Sequence, residues 1–156
     1  YTDRILMEYV FNARFDAKRK HYRYTIANRD TPAVLDRGLV WTIHSKLDIE
    51  RMQAEASYLV GQHDFKSFQA AGCSAKTSNR DIYRSELIWN PPYLIYDVVG
   101  SGFLKQMVRN IVGSLVEIGK GRSKLASMKE LIEARDRQMA GPTAPAYGLC
   151  LIEVEY

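Results

Sequence analysis

The segment Gly100–Gly119 reads GSGFLKQMVRNIVGSLVEIG, and its reading decides the fold. Its apolar residues fall at Phe103, Met107, Ile111 and Leu115, with Leu104, Val108, Val112 and Val116 beside them. That is the i, i+3, i+4 stripe of a helix packed on a core, and it predicts a helix from about Phe103 to Gly119. The stripe does not account for Arg109-Asn110 in the middle of this helix, nor for Gly113-Ser114 one turn later, where a larger residue would pack better. Something is expected to come close to the backbone at Gly113.

Upstream, two strands are expected, roughly Arg80 to Trp89 and Tyr93 to Val99, joined through Asn90-Pro91-Pro92. The second is apolar apart from Asp97, which suggests a central strand covered on both faces. The small and polar run from Ala70 to Asn79 reads as a mobile loop. Before it, Asp48 is a fair N-cap for a covering helix with Ile49, Met52, Ala56, Leu59 and Val60 on one face and Gly61 at its end. Gly38–Ile43 reads as a short strand or extended connection after the turn cluster Asn28–Pro32. In the strand Lys18–Ala27, Lys20, Tyr22, Tyr24 and Ile26 share one face, while Arg19, His21, Arg23 and Thr25 share the other. A first strand is expected at Arg4–Phe11, and it starts abruptly, as a cut edge would.

Downstream, Gly119-Lys120-Gly121-Arg122 stops the helix, and Ser123 can cap another with Leu125, Met128, Leu131 and Ile132 inward, ending near Arg135. Gly141–Gly148 is irregular, and Leu149–Tyr156 alternates as a last strand. Strands and helices mix without strict βαβ alternation. The expected class is therefore α+β, a largely antiparallel sheet with helices packed on one face, in a single domain over residues 1–156.

With 156 residues, 46% of them hydrophobic, the chain can bury a core without dividing in two. Its 22 basic and 18 acidic residues leave +4 and a pI near 9.1, compatible with nucleic acid without requiring it. No apolar run approaches the roughly 18 residues that span a bilayer, and no signal-peptide pattern opens the chain, so a cytoplasmic protein with no membrane partner is expected. Cys73 and Cys150 form no CxxC, and His21, His44 and His63 no HxxxH, so no metal site is expected. No phosphate-cradling glycine loop is present either; no cofactor is expected, and any chemistry falls to side chains.

Between Arg14 and Arg23 stand Arg14, Lys18, Arg19, Lys20 and Arg23 against one acid, Asp16. Interleaved with Tyr22 and Tyr24, these cations would hold phosphates while the rings stack on unpaired bases. The same composition also suits a soluble edge strand kept from aggregating by its charges. Arg109 is equally open, since a helical arginine commonly pairs with a surface carboxylate. Leu149 by itself reads as core.

Several motifs lie in one order and spacing: Phe11-Asn12-Ala13-Arg14-Phe15-Asp16-Ala17 leading to Tyr22-Arg23-Tyr24; Gly61-Gln62-His63-Asp64-Phe65; Phe103-Leu104 with Met107-Val108-Arg109-Asn110-Ile111-Val112-Gly113-Ser114-Leu115; Asp136-Arg137; and Thr143-Ala144-Pro145-Ala146 before Gly148-Leu149. Together they resemble the C-terminal domain of the TruA-type tRNA pseudouridine synthases. The resemblance runs from about Phe11 to Tyr156. It implies isomerisation of uridine to pseudouridine at positions 38 to 40 in the tRNA anticodon arm, by a homodimer without cofactor. It also implies that the target base leaves its stack for a pocket with an aromatic platform.

Residue by residue, the resemblance gives Tyr22 the place of the tyrosine that stacks on the base and is a candidate for proton removal from C5. Tyr24 is second in line for that role. Arg109 takes the place of the basic partner of the catalytic aspartate, and Leu149 that of the apolar pocket wall. Arg14, Lys18, Arg19, Lys20, Arg23, Tyr24, His63 and Asn110 are the expected RNA contacts. The family's nucleophilic aspartate sits in an Arg-Thr-Asp-Ala-Gly-Val-His-like motif of the N-terminal domain, and no aspartate here has that context. The chain is thus expected to be a C-terminal portion, inactive alone; a non-catalytic RNA-binding module is the alternative.

Overall fold

The computed structural model describes residues 10–124 and 126–156. The strand expected from Arg4 falls, but for its last two positions, outside the described residues, and so does Leu125; Val10 and Phe11 are not in a strand.

The element that organises the sheet is β1 (Arg19–Asn28). On one side it pairs antiparallel with β5 (Tyr93–Gly100), in register from Lys20 opposite Gly100 to Ala27 opposite Tyr93. Its other side is shared: β6 (Leu149–Glu155) runs antiparallel along Arg19–Tyr24, and β2 (Trp41–Ile43) runs parallel along Ile26–Asn28. Beyond β5 lie β4 (Asn79–Asn90) and β3 (Gly61–Asp64), giving the order β2-β1-β5-β4-β3 with β6 also on β1. Three helices pack against this mixed six-stranded sheet: α1 (Ile49–Ser57), α2 (Met107–Gly119) and α3 (Met128–Ala134). The α+β class and the largely antiparallel sheet stand, with β1–β2 the one parallel pairing among the described residues.

Strand alternation builds the core. Tyr24 and Ile26 from β1, Leu94, Tyr96 and Val98 from β5, and Ile82 and Leu87 from β4 are buried in one cluster with Met52 and Ala56 of α1 and Ile111 and Leu115 of α2. The opposite face of β5 differs from expectation. Ile95 and Val99 are only half-buried, neighbouring Ile88 is 41% exposed, and Asp97 is covered by its own sheet neighbours rather than by a second layer. The strand is central but covered by helices on one face only.

Helix α2 starts at Met107, not Phe103. Gln106, in the left-handed region at φ 58°, ends an irregular approach in which Phe103 and Leu104 already lie against the core. Apolar spacing persists through this approach, so periodicity extends the helix four residues too far. Eleven of its thirteen residues are buried, as befits a helix enclosed on more than one side. A Cβ on Gly119 would sit 2.3 Å from Met52 Sδ on α1, and one on Gly113 would sit 1.7 Å from the carbonyl oxygen of Pro142. The close approach expected at Gly113 is therefore the segment 141–144.

Two helix ends also move. α1 is capped as expected, Asp48 Oδ1 accepting from Arg51 N at 3.1 Å, but it stops at Ser57, and Gly61, at φ 108°, opens β3 instead. α3 is capped by Ser127, whose hydroxyl accepts from Glu130 N, rather than by Ser123. Among the described residues no helix is long and apolar enough to cross a membrane.

Candidate active site

Where β1 and the start of β6 meet the approach to α2, the chain leaves a cavity of about 970 Å³. Register places the side chains. Tyr22 lies on the same face of β1 as Tyr24, and Leu149 enters opposite Tyr24 on β6. The Tyr22 ring meets Phe103 edge-on, centroids 5.1 Å apart at 86°. Burial raises the Tyr22 hydroxyl pKa, which keeps it protonated at neutral pH.

Arg109 stands in the first turn of α2, half-buried at the cavity wall. Its Nε donates to the carbonyl oxygen of Ala144 at 2.8 Å, and Ala144 N donates back to the Arg109 carbonyl at 3.1 Å. The guanidinium is thereby fixed by one edge, and among the described residues no carboxylate lies within ion-pair distance of it. Arg14 reaches the cavity from the turn before β1, held by a bond from Nη2 to Ser74 Oγ at 3.2 Å. Lys20, Lys76, Arg80 and Lys105 complete the lining cations. Among the described residues, six cations and no acid face this space. A cavity so charged raises the local concentration of a polyanion.

The other expected site residues are scattered. Tyr24 is fully buried; its hydroxyl donates to the carbonyl of Pro145 at 2.6 Å, and burial pushes its pKa well up. It holds the wall rather than offering a platform. Asn110 is also fully buried: Nδ2 donates to the Phe68 carbonyl at 2.8 Å, while Oδ1 accepts from Thr143 Oγ1 at 2.7 Å and Arg137 Nη2 at 3.0 Å. Both polar atoms of its side chain are thus engaged inside the protein. Arg23 and His21 turn to the back of the sheet and hold Asp97, Arg23 through two bonds of 3.0 Å and His21 through one of 2.8 Å. Arg19 is on that side too, 3.8 Å from Glu155. Lys18 is exposed outside the cavity. His63 lies on β3, at the far end of the strand order, bonded to the Val60 carbonyl and stacked on Tyr58.

Sequence reasoning passed over Lys76, Arg80 and Lys105. The signal was present, for Ala70–Arg80 contains no acid. It also passed over Cys73, which lines the cavity; backbone N–H groups of Lys105 and Ala75 and the Gln69 side chain lower its thiol pKa to about 7.

Fold and cavity together define an α+β arrangement with an aromatic-edged pocket that, among the described residues, is lined by cations without an acid and is suited to a polyanion. Residues 56–156 match the family model described as tRNA pseudouridine synthase, and the chain belongs to that family. It is 45% identical over 147 residues to tRNA pseudouridine synthase A of Geobacter sp. (strain M21) and 49% identical over 146 residues to that of Geotalea uraniireducens (strain Rf4). Each alignment covers 94% of this chain and 60% of the relative. The protein of the same name from Moorella thermoacetica is 47% identical over 146 residues, covering 94% of this chain and 59% of the relative. The chain thus spans about 60% of the length of these relatives.

Proposed function

We propose that this chain is the C-terminal domain of a tRNA pseudouridine synthase, whose parent protein isomerises uridine to pseudouridine in tRNA. The observation that carries the reading is the cavity lined, among the described residues, by six cations and no acid, with an open arginine edge. Isomerisation breaks the C1′–N1 bond, turns the uracil ring and forms the C1′–C5 bond; C5 gives up its proton and the freed N1 takes one up. Nothing enters or leaves in the balance, so no cofactor is required.

In this reading the flipped uracil stacks on Tyr22, edged by Phe103, with Leu149 on its apolar side. Arg109 pairs with the nucleophilic carboxylate, supplied by the part of the parent outside this chain, and keeps it ionised. Tyr22, with its hydroxyl protonated, must pass its own proton to an acceptor before its oxygen can take the C5 proton. Lys20, Arg14 and the cations of the 76–80 segment hold the phosphates flanking the target. The anticodon-arm positions 38 to 40, the homodimer and the cytoplasmic location rest on the family resemblance.

The test is incubation of undermodified tRNA with the parent protein and, separately, with this chain, followed by nucleoside chromatography. The parent is expected to yield pseudouridine, and the chain to bind tRNA in a salt-dependent manner and yield none. Absence of product with the parent, or turnover by the chain alone, contradicts the reading.

A further inference from the structure

The segment Ala140–Gly148 crosses the first two turns of α2 as a strap, and each step is fastened. Gly141 N donates to Ser114 Oγ at 2.9 Å, and Pro142 passes against Gly113 with no room for a Cβ. Thr143 bonds Asn110, Ala144 bonds Arg109 in both directions, and Pro145 accepts from Tyr24. At its end, a Cβ on Gly148 would come within 2.7 Å of the Tyr24 ring. The strap therefore lies between Arg109 at one wall of the cavity and Leu149 at another.

Behind the strap stands Arg137. Its Nη1 donates to the Gly141 carbonyl at 2.9 Å, and its Nη2 is divided between Asn110 Oδ1 at 3.0 Å and Thr143 Oγ1 at 3.1 Å. All three acceptors are neutral, and among the described residues no carboxylate pairs with this half-buried cation. A half-buried charge without a counter-ion is a poor source of stability, and apolar side chains of similar volume often serve better. What the arrangement does supply is geometry: one planar fork sets the separation of Asn110, Gly141 and Thr143. Asn110 and Thr143 are the immediate chain neighbours of Arg109 and Ala144, the two residues of the Arg109 contact.

We propose that Arg137, Asn110 and Thr143 form a clamp that positions the guanidinium of Arg109 through the strap, as positioning residues for the reaction. None of the three touches substrate. The clamp is a statement about Arg109 geometry; its catalytic consequence rests on the function proposed above.

Two readouts in the full-length parent separate these. Thr143→Val keeps the shape and removes the hydroxyl. It is expected to speed hydrogen exchange at Arg109 Nε–H by about tenfold and to lower turnover on tRNA by about tenfold, with tRNA affinity within about twofold; Thr143→Ser is expected to restore both. Arg137→Lys, which keeps the charge but cannot bridge three acceptors, is the second variant and should match Thr143→Val should that protein not fold. Unchanged Arg109 exchange overturns the clamp, whatever happens to turnover. Faster exchange with unaltered turnover, in a parent that makes pseudouridine, overturns its role in the reaction. Should the parent make no pseudouridine, the functional reading fails and exchange alone decides the clamp.

Discussion

Asp97 shows what a single residue can conceal in a sequence. As the one charge in an apolar strand it reads as an exception; in the fold it is 2% exposed and holds Arg23 and His21 to the back of the sheet. Burial alone would raise its pKa, but the hydrogen bonds from Arg23 and His21 outweigh burial and leave it lowered. A carboxyl with a depressed folded pKa stabilises the fold above its unfolded value, near 3.9, and that stabilisation drains away as pH falls through the folded pKa. Asp97→Asn should therefore lower the unfolding free energy of the chain by about 2 kcal/mol at pH 7. In denaturant titrations at successively lower pH the gap should close below about pH 3.9. A gap that stays constant into acid would contradict the account. Tyr22 and Tyr24 give the complementary lesson. Alternation correctly puts both on one face, yet depth depends on what crosses that face, and Gly148 closes over Tyr24 alone. Asn110 was legible as an oddity in an apolar helix, but not as a buried acceptor, because Thr143 and Arg137 lie about thirty residues away in sequence.

Among elements, β1 carries the clearest division. The sequence reading grouped its cations as one RNA-contacting set, whereas the two faces separate them: Lys20 lines the cavity, while Arg19 and Arg23 lie behind with Glu155 and Asp97. Each phosphate contact adds roughly 0.7 to 0.9 to the slope of log affinity against log salt. Removing both Arg14 and Lys20 as Ala should thus lower the slope for tRNA binding by the parent by about 1.5. Arg19→Ala should leave it within about 0.3. Equal losses from both faces would refute the division. The start of α2 illustrates a limit of periodicity. Phe103 and Leu104 keep the helical spacing because they pack on the same core, but a turn ending in left-handed Gln106 precedes the helix, and these residues line the cavity. Edge strand β3 escaped notice for a similar reason, since its four residues, Gly61–Asp64, carry no apolar alternation.

At the scale of the molecule, the α+β class and most strands could be read from alternation and turn residues, because these are local signals. The sharing of one side of β1 by β6 and β2, the strap over α2 and the cation-lined cavity could not, because they arise from contacts between distant segments. The site that results is open on the side of Arg109, and the chain spans about 60% of the length of its relatives. The central claim is that the remainder of the parent brings a carboxylate to this arginine. The most direct measurement compares Arg109→Ala with the wild-type parent, reading single-turnover pseudouridine formation on saturating tRNA beside the equilibrium affinity. Loss of a preorganised charge partner predicts a fall in the rate of about a hundredfold or more, with affinity within about twofold. A variant that binds tRNA weakly yet converts bound tRNA at the wild-type rate would contradict the claim.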